Sequence, residues 1–146
     1  MTSSSVDSQI RGRLAEAGVR YTTGRRQVVA ALVAADGPRS AAELHLQIAD
    51  TVPISSLYRS LAVMAEADVL AQHHGTKGVT RYELAEWLAG HHHHLVCIEC
   101  GTVDDIELPP RLESTLHDLV DTVAASGEFA AAGHALEVVG RCKACV

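Results

Sequence analysis

Apolar positions recur at helical spacing through the first half of the chain. Residues 8–17 read as a first helix, ended by Gly18. Residues 23–35 read as a second, with Val28, Val29, Leu32 and Val33 on one stripe and Thr22 or Thr23 as N-cap. Gly37-Pro38 breaks the pattern. Ser40-Ala41-Ala42-Glu43 then has the S-x-x-E form of a capping box and opens a third helix to about Asp50. After Val52-Pro53, a fourth helix starts at Ser55 or Ser56 and places Leu57, Leu61 and Met64 on its inner face.

The period then changes. Residues 69–74 and 79–84 read as strands around the turn Gly75-Thr76-Lys77-Gly78, a hairpin signal. Helices followed by a β-hairpin make a winged helix, so residues 1–84 are expected to form a DNA-binding domain. Residues 85–90 read as a hinge. Residues 91–146 read as a second, α/β unit: strands near 93–98 and 102–108, a helix from Pro109 to about Ala125, a loop rich in Ala and Gly, and a strand near 134–139. The expected class is α+β.

Composition changes this picture at two points. Aromatic residues are only 3%, so the core must be built from Ala, Val and Leu, and a structural metal would help to staple it. The net charge of −6 hides an asymmetry: nine Arg or Lys against seven Asp or Glu over residues 1–82, and three against eleven over 83–146. A basic first half suits nucleic acid; an acidic second half suits metal binding or dimerisation. The polar N-terminus lacks a signal-peptide core, and no apolar run approaches the roughly 20 residues of a membrane span. The expected location is the cytoplasm.

All four cysteines fall in two CxxC pairs, Cys97/Cys100 and Cys142/Cys145. In a reducing compartment such pairs are metal ligands or redox groups rather than disulfides. Neither pair opens a helix, as a redox motif would, so one closed four-thiolate zinc site is expected. His91-His92-His93-His94 lies just upstream. In an extended segment alternate side chains face opposite ways, so His91 and His93 can serve one site and His92 and His94 another. Imidazole alone does not select among Zn, Fe, Ni and Cu. On the fourth helix, Ser55, Ser56, Tyr58 and Arg59 form an outer face suited to a DNA groove, and Arg20, Arg25 and Arg26 could meet phosphate. The plain alternative for each is a solvated surface. The chain lacks HExxH, H-x-E before P-C-x-x-C, and a Ser or Cys nucleophile pattern, so an enzyme is not expected.

In this order, Arg20-Tyr21-Thr22-Thr23-Gly24-Arg25, Ser40 to Leu44, Ser56 to Leu61, Arg81-Tyr82-Glu83-Leu84, His91 to Cys100 and Gly140 to Cys145 resemble the ferric uptake regulator family of bacterial metal-sensing repressors. The resemblance covers nearly the whole chain. It implies a winged-helix domain, a C-terminal dimerisation domain, and a homodimer that binds palindromic double-stranded operator DNA when its metal is replete. It implies zinc on Cys97, Cys100, Cys142 and Cys145. It implies a regulatory site between the domains on His92, His94 and Glu83, and a further site on His91, His93, Glu113 and His134.

Departures bear on the regulatory ion. Many members have Pro where this chain has Gly24. Pro38 stands where a ligand His is frequent, leaving His73 or His74 as substitutes. Glu83 stands where zinc-sensing members often have Cys, which leaves iron or manganese open. The stretch from Ser40 to His45, the unbroken histidine run and the segment from His134 to Gly140 look more like zinc uptake regulators, so zinc is favoured as regulatory ion. An iron or manganese regulator, a peroxide sensor, and a metal buffer without DNA binding are the alternatives.

Overall fold

The computed structural model describes residues 3–75 and 77–146. Among these, no helix is long and apolar enough to cross a membrane. The chain divides into two compact units, one up to Gly90 and one from His91 onward.

Among the described residues, the first unit has four helices, a one-turn fifth and a small sheet. α1 (Ser3–Glu16) buries Ile10 and Leu14. It begins earlier than the apolar spacing predicts, because Asp7 is held from outside the helix: Tyr21 donates its hydroxyl to Asp7 at 2.7 Å, and Arg26 pairs with the same carboxylate. α2 (Thr23–Val33) starts on Thr22, whose hydroxyl accepts from the Arg25 N–H, and buries Val28, Val29, Ala31 and Leu32. Val33, assigned to the buried stripe on sequence grounds, is instead exposed. α3 (Ala41–Ile48) follows the capping box that the sequence predicts. The Ser40 N–H donates to Glu43 Oε2 at 2.7 Å, and the Glu43 N–H donates to Ser40 Oγ at 3.2 Å. α4 (Ile54–Glu66) turns Leu57, Ser60, Leu61 and Met64 inward.

Three strands pair in the order β1-β3-β2: β1 (Arg39–Ser40), β2 (Leu70–His74) and β3 (Thr80–Leu84), all antiparallel. β1 is absent from the sequence reading, since two residues carry no periodicity. Of the hairpin turn, Thr76 lies outside the described residues. Arg81 on β3 is buried, and its guanidinium donates to Glu43 Oε2 at 2.7 Å, so the wing is tied to the start of α3. Residues 85–90, read as a hinge, contain the one-turn helix α5 (Glu86–Ala89), whose Leu88 packs into this unit's core and whose Trp87 N–H donates to the Asp68 carbonyl.

The second unit has a sheet in the order β5-β4-β6, from β4 (His93–Cys97), β5 (Val103–Ile106) and β6 (Glu137–Gly140). β4 runs antiparallel to β5 and parallel to β6. β6 starts three residues later than expected, leaving His134 in the preceding loop. α6 (Pro110–Ser126) buries none of its residues. Leu112, Leu119 and Val123 on α6, and Val138 and Val139 on β6, all remain exposed.

Candidate metal centres

β4 delivers donors from both its ends. At its C-terminal end Cys97 begins a tight turn that Gly101 closes with φ +74°, a conformation glycine adopts without a Cβ clash. The Gly101 N–H donates to the Cys97 carbonyl at 2.9 Å. Pairing with β6 brings the second thiol pair alongside: the Ile98 N–H donates to the Gly140 carbonyl at 2.9 Å and the Cys142 N–H to Cys97 Sγ at 3.3 Å. All four thiols are free, and their sulfurs lie within 4.8 Å of one another. Cys100 Sγ and Cys142 Sγ are 3.7 Å apart. A tetrahedron with metal–sulfur bonds of about 2.3 Å has edges of about 3.8 Å, so the cluster fits one zinc ion. Its electrostatics agree. Backbone N–H groups of Cys100 and then Cys142 hold the Cys97 thiol down to about 6, while contact with Cys142, with burial in support, pushes Cys145 up to about 12. The turn stabilises thiolate charge at Cys97, and crowding by the neighbouring sulfurs disfavours it at Cys145.

At the other end of β4 the four histidines divide by alternation. His91 and His93 meet Glu113, from the first turn of α6, and His134. Glu113 Oε1 lies 3.0 Å from His91 Nε2 and 2.9 Å from His134 Nε2; Glu113 Oε2 lies 2.9 Å from His93 Nε2. The two ring nitrogens of His91 and His134 are 3.2 Å apart. A first-row ion at about 2.1 Å from each donor needs edges of about 3.0–3.4 Å, close to these spacings. The hydrogen bond to His93, helped by the one to His134 and by the charges of His93 and His91, holds the Glu113 carboxyl down to about 2 against the opposing effect of desolvation. His93 is fully buried, and its Nδ1 has no hydrogen-bond partner. Its hydrogen bonding therefore runs through Nε2, to Glu113.

His92 and His94 turn to the opposite side, with rings 5.0 Å apart. They share Asp105: its Oδ1 is 3.6 Å from His92 Nε2 and 3.4 Å from His94 Nε2. Asp105 was not found from the sequence. The signal was available in the hairpin register, because the turn after Cys97 sets β5 antiparallel with Asp105 opposite His94. In the first unit, Glu83 on β3 pairs with His73 on β2 at 2.5 Å. His74 instead has its Nδ1 3.5 Å from the Thr80 hydroxyl and is exposed.

The DNA-contact candidates occupy two places in the first unit. Ser55, Ser56, Tyr58 and Arg59 are exposed on α4, opposite Leu57 and Leu61, which fix the helix to the core. Arg20 is exposed just before α2, and Arg25 folds back to donate to the Arg20 carbonyl at 2.5 Å. Arg26 is engaged by Asp7 and stacks over Tyr21.

Comparison with known proteins places this arrangement. The sequence profile of the ferric uptake regulator family matches residues 16–139. The ferric uptake regulation protein of Bacillus subtilis is 31% identical over 142 residues, spanning 94% of this chain and 92% of the relative. The ferric uptake regulator structure from Vibrio cholerae superimposes with a TM-score of 0.70 at 26% identity, covering 90% of this chain and 98% of that one. The Helicobacter pylori ferric uptake regulator gives a TM-score of 0.77 at 24% identity, covering 99% and 94%. With its profile matched over most of its length, the chain belongs to the ferric uptake regulator family.

Proposed function

We propose that this protein is a cytoplasmic, metal-dependent transcriptional repressor that binds operator DNA as a homodimer when a regulatory divalent ion is bound. The observation that carries the reading is the division of four consecutive histidines between two donor sets on opposite sides of one strand. The exposed apolar residues of α6 and β6 support dimerisation through the second unit. The polar outer face of α4, with Tyr58 and Arg59, supports insertion into the major groove.

In this reading Cys97, Cys100, Cys142 and Cys145 hold a structural zinc. His92, His94 and Asp105 supply one half of the switch; Glu83 and His73 supply the other. A bound ion contributes coordination only and makes no bond in a substrate. The ligands' work is to fix the angle between the units. In a dimer that angle sets the separation of two α4 helices, which must match half-sites about 34 Å or a multiple apart. The ion's preference for the matching form is the coupling, typically about 1–3 kcal/mol. His91, His93, Glu113 and His134 form a third centre.

Zinc is the first reading for the switch. At a site rich in imidazole, zinc binds more tightly than iron(II) or manganese(II). A second reading, iron(II) or manganese(II), draws on the thiolate-free donor set and on Asp105, which raises the carboxylate count. Fluorescence anisotropy on the gene's own upstream DNA tests both. Protein carrying only its structural zinc is titrated with buffered Zn(II), then anaerobically with Fe(II) and Mn(II). Operator binding triggered by scarce free zinc supports the first reading, and a response to Fe(II) or Mn(II) alone supports the second. No metal-dependent retention of promoter DNA, with the three ions bound, leaves a metal buffer and refutes the repressor.

A further inference from the structure

His117 has no place in any of the three donor sets, yet it stands beside one of them. It lies one helical turn after Glu113 on α6, and its Nε2 is 3.8 Å from Glu113 Oε1. Its ring meets His134 edge to face, with centroids 4.8 Å apart. Its side chain is 61% exposed, whereas those of His93 and His134 are 1% and 8% exposed. His91, His93 and Glu113 line a cleft of about 450 Å³ whose wall His117, Glu107 and Ser114 share. A hydrated divalent ion cannot reach a buried imidazole without shedding water. A Glu and a His spaced i, i+4 on one helix face can replace that water two ligands at a time.

We propose that His117 is an entry ligand for the centre on His91, His93, Glu113 and His134: with Glu113 it captures a divalent ion at the mouth of the cleft, and Glu113 carries it inward. This rests on reading that set as a metal centre. An entry ligand stabilises the ion on its way in and out but not at its destination. His117 therefore acts on both rates and leaves the equilibrium alone.

The test uses full-length protein with its four-cysteine zinc in place and Glu83→Ala with His92→Gln to weaken the switch site. Zn(II) uptake and chelator-driven release are followed by stopped flow, and Co(II) spectra report coordination. In His117→Ala both rates are expected to fall about tenfold, equivalent to about 1.4 kcal/mol at the barrier. Affinity and the Co(II) spectrum are expected to stay unchanged. Faster release with a weaker affinity and a changed Co(II) spectrum would make His117 a resident fifth ligand and overturn the proposal. Unchanged rates would make it a bystander and also overturn it. Should the parent take up no ion that His93→Ala abolishes, the metal-centre reading itself fails, and the role of His117 with it.

Discussion

Glu43 does two jobs with one oxygen. Its Oε2 accepts the Ser40 N–H at 2.7 Å, closing the capping box of α3, and also accepts the buried Arg81 guanidinium at 2.7 Å. The Arg81 side chain is 8% exposed and that of Glu43 40%, so the pair is desolvated on one side only. Hydrogen bonds to charged groups contribute about 1.5–3 kcal/mol, and this partial exposure points to the lower end. Glu43→Ala removes both bonds and is expected to cost about 3 kcal/mol. Glu43→Gln keeps an acceptor for Ser40 but loses the ion pair, and is expected to cost about half as much. For a unit of this size each kcal/mol shifts Tm by about 4–8 °C, so thermal unfolding by circular dichroism resolves the two variants. The pH dependence has a definite sign. Burial acts to raise the Glu43 pKa, but the Ser40 N–H and Arg81 outweigh it, and the carboxyl is held below its ordinary value. Its contribution is therefore complete above the unfolded value of about 4.3 and fades as pH falls through the lower folded value. The gap between wild type and Glu43→Gln should hold at neutral pH and close in acid. A double-mutant cycle with Arg81→Met isolates the coupling. A coupling energy near zero, or a gap that does not narrow in acid, would refute this account.

Other expected outcomes follow from the proposed metal centres and the proposed DNA-contact face of α4. Cys97→Ser should lose the structural zinc and destabilise the second unit by several kcal/mol, seen as lost metal by mass spectrometry and an earlier unfolding transition; a stable dimer of normal zinc content would count against the structural role. Asp105→Ala should weaken the metal response of DNA binding about 10- to 100-fold while leaving a folded dimer, and Glu83→Ala should behave alike. A normal metal titration in either variant would mean the switch lies elsewhere. Arg59→Ala should lower operator affinity by about 1–3 kcal/mol with unchanged metal content, measured by anisotropy.

The sequence was most legible where a local rule governs. The Ser40/Glu43 box depends on residues three apart, and the structure contains it. The histidine alternation depends only on the two-residue period of a strand, and the rings divide accordingly. Legibility failed where tertiary contacts decide. β1 exists because Ser40 and Arg39 pair with Arg81 and Tyr82 from far along the chain. α1 extends because Asp7 is anchored by Tyr21 and Arg26. Asp105 became visible as a donor only once the β4–β5 register was fixed.

β4 also acts as a ruler. His93 is its first residue and Cys97 its last, four steps apart, and at about 3.3 Å per residue this separates the histidine and cysteine clusters by about 13 Å. Two dications at that distance repel by about 1.3 kcal/mol in water, and with a screening length of about 8 Å at physiological salt only a few tenths remain. Four thiolates around one of them reverse even that small term. On the proposed reading, an ion at the histidine end of the strand can therefore come and go without dislodging the ion at the cysteine end, and an exchanging site and a long-lived scaffold can share one piece of backbone.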